Sequence, residues 1–253
     1  MTDSIHMTGR HLRALMREPA WIAITLTTPI IWLLLFGSLF ERAIDIPGFA
    51  ANDYTDFLTP GVVVMTAFFT AGWGGMAMIQ DIDRGVIDRF LATPVKRSAL
   101  IVGRLGQGAI TIAIQSLIVV GLALAVGAGF ENGVLGVLGM IAIGALLGMT
   151  VGALSNGLAL VVRKEETLIG VINVLLFPLT FLSTAFMPEE LIPGWLRTAA
   201  EANPVNWAVE AARIAASGDE WAELAVYTGT LVLLALVCIG FATRAFRAYQ
   251  RSL

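Results

Sequence analysis

The densest group of side chains with chemical potential lies between residues 81 and 100, in the stretch DIDRGVIDRFLATPVKRSAL. Asp81, Asp83 and Asp88 are close enough in sequence to hold a divalent cation together with a phosphate. Arg84 and Arg89 stand among these acids, and a segment that mixes both signs of charge favours docking to another protein over metal binding. A solvated connector between two helices is the simpler alternative, and the pattern alone leaves both interpretations open.

Other patterns that indicate catalysis do not occur in the sequence. Neither lysine, Lys96 nor Lys164, follows a glycine-rich phosphate loop, so we do not expect this chain to hydrolyse ATP. His6 and His11 have no cysteine or carboxylate cluster around them, which argues against a zinc site. No Gly-x-Ser-x-Gly turn supports acyl transfer. We therefore expect no catalytic, cofactor-binding or metal-binding residue.

The composition is typical of a membrane protein. Of the 253 residues, 57% are hydrophobic and 14% are charged, and the mean hydropathy is +0.80. Soluble domains contain about 45–50% apolar and about 25% charged residues. The net charge of −3 gives no basic excess for nucleic acid. These values exclude a soluble domain, a disordered chain and a nucleic-acid-binding protein.

Six stretches without Asp, Glu, Lys or Arg are long enough to cross the hydrocarbon of a bilayer, which takes about 20 residues. We therefore predict an all-α, polytopic protein whose single transmembrane domain covers residues 1–253. The predicted spans are residues 20–40, 57–80, 103–128, 134–162, 167–187 and 223–243. With both termini in the cytoplasm, thirteen of the sixteen Lys and Arg residues face inward, as the positive-inside rule requires.

Three segments outside these spans show amphipathic patterns. Residues 1–19 are expected to lie flat at the inner interface. In the inner loop 81–100, apolar residues recur at spacings of three to five and predict a short helix that ends at Thr93-Pro94. In the outer segment 188–222, two apolar faces predict two short helices that lie on the outer leaflet or dip into it.

The six charge-free runs that define these spans contain no Asp, Glu, Lys or Arg, although ion-coupled carriers usually place an ionisable residue within the membrane. Neutral polar residues are expected either to join helices or to line a substrate path; they include Gln115, Asn156, Asn173 and Ser183. In the fourth span, a four-residue glycine period predicts close approach of another helix; it includes Gly144, Gly148 and Gly152. Whether that helix belongs to this chain or to a second copy stays open.

Two segments resemble the ABC type-2 permease family, close to its daunorubicin-resistance permease branch. The inner loop resembles the family signature through Asp83, Gly85, Ile87, Asp88, Arg89, Leu91, Pro94, Arg97, Gly103 and Arg104. The outer segment resembles the family's sequence before its last span through Ser183, Pro188, Pro193, Trp195, Leu196, Asn203, Pro204 and Arg213. The six predicted spans agree with the family layout over essentially the full length.

The resemblance implies a membrane-spanning exporter subunit in a bacterial plasma membrane. It implies pairing with a second permease, either identical or paralogous, and with two copies of a separate ATPase that binds ATP and magnesium. The expected ATPase-docking residues are Asp83, Gly85, Ile87, Asp88, Arg89, Phe90, Leu91, Pro94 and Arg97. Residues 1–19 would be the connecting helix, and the cargo would be a hydrophobic or amphipathic drug, antibiotic or lipid. The alternative function is an ion-coupled secondary carrier that acts without an ATPase.

Overall fold

The computed structural model describes residues 26–46, 53–87 and 97–251, and these ranges contain helices and no strand. The all-helical prediction is therefore confirmed for this part of the chain. The helices are α1 (Leu26–Leu39), α2 (Tyr54–Asp83), α3 (Arg97–Val126), α4 (Gly133–Val162), α5 (Glu165–Phe181), α6 (Gly194–Glu201), α7 (Pro204–Ser217) and α8 (Trp221–Gln250). The interfacial helix predicted for residues 1–19 lies outside the described residues.

Helix α4 lies at the centre of the bundle and packs against α2, α3, α7 and α8. Its glycines allow these neighbours to approach closely. A Cβ atom added to Gly148 would overlap Cδ1 of Ile112 on α3, and one added to Gly144 would lie 3.5 Å from Val63 on α2. The glycine period of α4 is thus covered by helices of the same chain.

The hydroxyl of Ser155 joins α4 to α2 through two hydrogen bonds. Ser155 Oγ on α4 accepts a hydrogen bond from the amide of Gly75 at 3.0 Å and donates one to the carbonyl of Gly72. A Cβ atom at Gly75 would lie 2.6 Å from the carbonyl oxygen of Ser155, so only glycine fits there. The backbones of α2 and α4 therefore touch without intervening side chains.

Helix α8 covers the opposite side of α4. A stripe of buried side chains on α8 faces the bundle, namely Leu231, Ala235, Cys238, Ala242, Ala245, Phe246 and Tyr249. Gly157 of α4 fits against Phe241 and Ala242, and the Arg163 guanidinium lies 4.7 Å from the centre of the Tyr249 ring. These contacts show that α4 and α8 run in the same direction, with their C-terminal ends together.

We call the end of the bundle that holds Asp81, Arg104 and Arg163 the inner end, after the orientation predicted from the charges. The opposite end, which holds Asp56, Gly129 and Arg213, is the outer end. Helices α2, α4 and α8 run from the outer to the inner end, whereas α3 and α5 run the other way.

Four of the described helices are long and apolar enough to cross a membrane, namely Tyr54–Asp83, Gly103–Val126, Gly133–Val162 and Trp221–Gln250. They correspond to the second, third, fourth and sixth predicted spans. The described part of the first span, Leu26–Leu39, is a shorter apolar helix that contains a π-helical turn at Trp32–Phe36. Six complete spans therefore remain a prediction.

Helix α5 ends six residues before the predicted end of the fifth span at residue 187. Its 17 residues extend over about 26 Å. Pro178 lies in its last turn, and the side-chain amide of Asn203 binds the carbonyl oxygens of Leu179 and Leu182, each at 2.7 Å. The side chain of Asn203 thus satisfies the carbonyl groups at the end of α5, where the helix stops.

Helix α7 is the second of the two short helices predicted in the outer segment, which were expected to lie on the outer leaflet or dip into it, and it packs among the long helices. Nine of its fourteen residues are buried, and it packs against α2, α4 and α8. Its alanines make this possible, because Ala215 and Ala216 lie directly against Gly136 and Gly139 of α4. The helices at the inner loop also extend further than predicted, since α2 continues to Asp83 and α3 begins at Arg97.

The contact between α2 and α4 predicts different effects for two adjacent glycines. Gly75→Ala should lower the melting temperature in mild detergent, because overpacking against the Ser155 backbone costs about 1–3 kcal/mol. Gly74→Ala is the matched control, since its Cβ would have no atom within 4 Å. Equal melting temperatures for the two variants would contradict the close contact.

Candidate functional site

The chain leaves α2 at a left-handed glycine. Arg84 caps the helix, and Gly85 follows with a φ of 64°, a conformation that residues with a Cβ rarely adopt. The Gly85 amide donates to the carbonyl of Ile82 at 2.9 Å. Gly85 therefore ends α2 and directs the chain into the inner loop.

The inner loop holds the predicted docking residues, and the structure describes only its two ends. Asp83 is the last residue of α2, and the Ile87 side chain is buried in the hydrophobic core. Arg97 is the first residue of α3. The remaining predicted docking residues lie outside the described residues, namely Asp88, Arg89, Phe90, Leu91 and Pro94. The burial of Ile87 holds the start of the loop against the bundle.

An ion pair fastens the two helices that carry this loop. The guanidinium of Arg104 on α3 binds the carboxylate of Asp81 on α2. The same side chain donates to the carbonyl of Ala77 at 3.3 Å and to the sulfur of Met78 at 3.1 Å. The loop is therefore closed at its base, and movement of the loop would act on α2 and α3 together. The sequence contains both charged residues, but its pattern does not predict that they pair.

At the outer end, Arg213 forms the centre of a network of polar side chains. Its Nη1 lies 2.8 Å from Glu210 Oε1 and 3.1 Å from Thr184 Oγ1, and its Nη2 donates to the Thr184 carbonyl at 2.5 Å. The guanidinium also lies over the Phe57 ring, 3.8 Å from its centre. We call Arg213, Glu210, Thr184 and Asn206 the outer network.

Asn206 completes the outer network by accepting hydrogen bonds from the amide and the hydroxyl of Thr184, at 2.8 and 2.7 Å. Burial lowers the pKa of the Arg213 guanidinium, and Glu210 opposes this shift. Arginine side chains stay protonated in proteins, and Arg213 forms an ion pair with Glu210. The network ties α7 to the segment after α5.

A cavity of about 610 Å³ opens beside the outer network. Its wall includes two aromatic rings, one guanidinium and three carboxylates, from Phe57, Phe130, Arg213, Asp56, Glu131 and Asp219. Asp56 Oδ1 accepts a hydrogen bond from the Gly129 amide at 2.8 Å, which joins α2 to the loop after α3. This volume lies within the usual range of small-molecule sites, about 300–1,000 Å³.

The polar residues predicted within the spans lie at separate places in the bundle. Gln115 Oε1 accepts a hydrogen bond from Thr70 at 2.9 Å and joins α3 to α2. Asn156 donates to the Gly152 carbonyl of its own helix at 2.6 Å, and Ser183 donates to the Thr180 carbonyl at 2.6 Å. Asn173 is half-buried on α5. They do not form one continuous cluster among the described residues.

The outer network predicts a strong dependence on Arg213. Arg213→Gln leaves Glu210 partly buried without its partner and should lower the free energy of unfolding by about 3 kcal/mol. Arg197→Gln is the control, since the Arg197–Glu189 pair is about half exposed and should cost less than about 1 kcal/mol.

Thermal unfolding in mild detergent would compare the two variants. The double variant Arg213→Gln/Glu210→Gln should recover part of the loss, because it removes the unpaired charge. Equal melting temperatures for Arg213→Gln and Arg197→Gln would contradict the role of the outer network.

Comparison with known proteins matches this chain to a family of membrane transporters. The family model for ABC-2 type transporters matches residues 4–216. The daunorubicin resistance ABC transporter permease protein DrrB1 of Streptomyces coeruleorubidus is 29% identical over 204 residues, which cover 81% of this chain and 71% of that protein. The putative transport permease ycf38 of Pyropia yezoensis is 30% identical over 208 residues, covering 81% and 70%.

A third relative aligns with the whole length of this chain. The probable doxorubicin resistance ABC transporter permease protein DrrC of Mycobacterium tuberculosis is 22% identical over 252 residues, covering 100% of this chain and 90% of that protein. The family model covers most of the chain, and the long apolar helices fit a membrane permease. The chain therefore belongs to the ABC-2 type transporter family.

Proposed function

We propose that this chain is the membrane-spanning subunit of an ATP-driven exporter in a bacterial plasma membrane, with both termini in the cytoplasm. The observation that carries the proposal is the match to the ABC-2 family over residues 4–216. The active complex contains a second permease chain and two copies of a separate ATPase. ATP and magnesium bind to the ATPase, and this chain supplies the path across the membrane.

The geometry of the inner end supports the coupling between ATP hydrolysis and transport. The proposed ATPase-docking loop joins α2 to α3, and the Asp81–Arg104 pair closes its base. Ser155 fastens α2 to α4, which contacts most of the other helices. A displacement of the loop by the ATPase would therefore act on α2 and α3 and reach α4 through them.

The cavity beside the outer network supports a hydrophobic or amphipathic cargo. Phe57 and Phe130 offer aromatic contact area, and the carboxylates of Asp56, Glu131 and Asp219 offer a polar rim. Such a wall suits a molecule with both an apolar body and a polar group. The names of two relatives refer to daunorubicin and doxorubicin resistance, which is in keeping with export of a drug.

Capture of the chain tests this proposal directly. The chain would be extracted from its native membrane in mild detergent through a tag, and the proteins that accompany it would be quantified by mass spectrometry. One ATPase with a phosphate loop per permease chain is the expected result. A chain that is stable alone, and that transports in vesicles with an ion gradient as the sole energy source, would instead identify a secondary carrier.

A charge reversal in the docking loop sharpens this test. Arg89→Glu should lower the amount of captured ATPase at least about tenfold, because repulsion at an interface readily exceeds the corresponding 1.4 kcal/mol. Membrane insertion should not change. Arg42→Glu is the matched control, since Arg42 is exposed and belongs to the segment after α1, on the predicted outer side. Equal capture by both variants would contradict docking through this loop.

A further inference from the structure

Helix α8 has an exposed face that points away from the bundle and changes character near its inner end. Along most of the helix this face is apolar and includes Val226, Leu233 and Val237. After Gly240 the same face continues with three exposed arginines, Arg244, Arg247 and Arg251. Steps of three and four residues connect Leu233 to Arg251, so all these positions share one side of the helix. We call the three arginines the arginine row.

The arginine row carries positive charge without acidic neighbours on its own helix. No Asp or Glu follows Glu223 in α8. Among the described residues, the ion pairs engage other arginines, namely Arg104, Arg197 and Arg213. Arg163, which is also at the inner end, lies over Tyr249 on the buried face of α8. The exposed guanidinium groups of the arginine row therefore lack a carboxylate partner in the described chain.

The length of α8 sets the depth of the arginine row in a bilayer. Trp221, whose side chain is 58% exposed, begins the helix at the outer end and is suited to the membrane interface. Arg244 follows about 35 Å further along the axis, just beyond hydrocarbon that is about 30 Å thick. Arg247 and Arg251 lie about 5 and 10 Å further from the hydrocarbon than Arg244, on the inner side. The row thus spans the layer of lipid headgroups at the inner surface.

We propose that the arginine row binds the phosphate groups of anionic phospholipids in the inner leaflet. A guanidinium can donate two parallel hydrogen bonds to a phosphate, and a basic segment beside the membrane attracts anionic lipid. The occupant is a lipid rather than a protein because the same face is apolar over the rest of the span. That apolar surface suits acyl chains, and the arginines stand where the headgroups of those lipids lie.

Native mass spectrometry of the purified chain would test the proposal, with equal amounts of phosphatidylglycerol and phosphatidylcholine added in mild detergent. The wild-type chain should retain more phosphatidylglycerol. Arg247→Gln should lower this preference about fivefold, and replacement of all three arginines by glutamine should abolish it. Lys164→Gln is the matched control, since Lys164 is an exposed cation at the inner end but not on α8. It should leave the preference unchanged.

Two results would overturn the proposal. The first is an unchanged lipid preference in the triple variant, and the second is an equal loss of the preference in Lys164→Gln. If the first is accompanied by loss of a second permease chain or of the ATPase from the triple variant, the exposed face of α8 is a protein interface.

A measurement on the wild-type chain keeps the test valid if the triple variant does not fold. Added salt should weaken phosphatidylglycerol binding relative to phosphatidylcholine, because salt screens exposed charges. A preference that is insensitive to salt would contradict binding through the arginines. The result does not depend on the presence of an ATPase, so it is separate from the proposed transport function.

Discussion

Direct backbone contact around α4 is the interaction on which the rest of the structure depends. Apolar side chains gain little from leaving lipid for another apolar surface, so helices in a membrane associate mainly through close packing and hydrogen bonds. Gly148 and Gly157 let Ile112 and Phe241 approach the α4 backbone, and Ser155 binds two backbone groups of α2. With side chains at these glycines, α2, α3 and α8 would not share a common centre.

A second requirement arises where a helix ends within the membrane, because unsatisfied carbonyl and amide groups are costly in hydrocarbon. The bundle meets it with side chains from a distant part of the sequence. Asn203 binds the last carbonyls of α5, and Asn206 binds the Thr184 amide that follows. Arg213 then adds charge to this junction, with Glu210 as its partner. The polar outer end is thus the means by which α5 ends and α7 is buried.

The sequence correctly predicted the position of a helix wherever that helix contains a long apolar run. The spans at 57–80 and 134–162 lie within α2 and α4, and the four-residue glycine period predicted close approach of another helix. The glycine pattern could not show which helix packs against α4, because a repeat in one helix describes the surface of that helix and not the residues that contact it. It also missed the end of α5, which depends on Asn203 more than 20 residues later. The inner loop was predicted mainly by resemblance, and its centre lies outside the described residues.

The Ser155 contact also limits how this bundle can change shape. Shifting α2 along α4 by one residue, about 1.5 Å, would break both hydrogen bonds of the Ser155 hydroxyl. The contact therefore opposes shear between these two parallel helices. We expect α2 and α4 to move together and the bundle to change shape where other helices meet them.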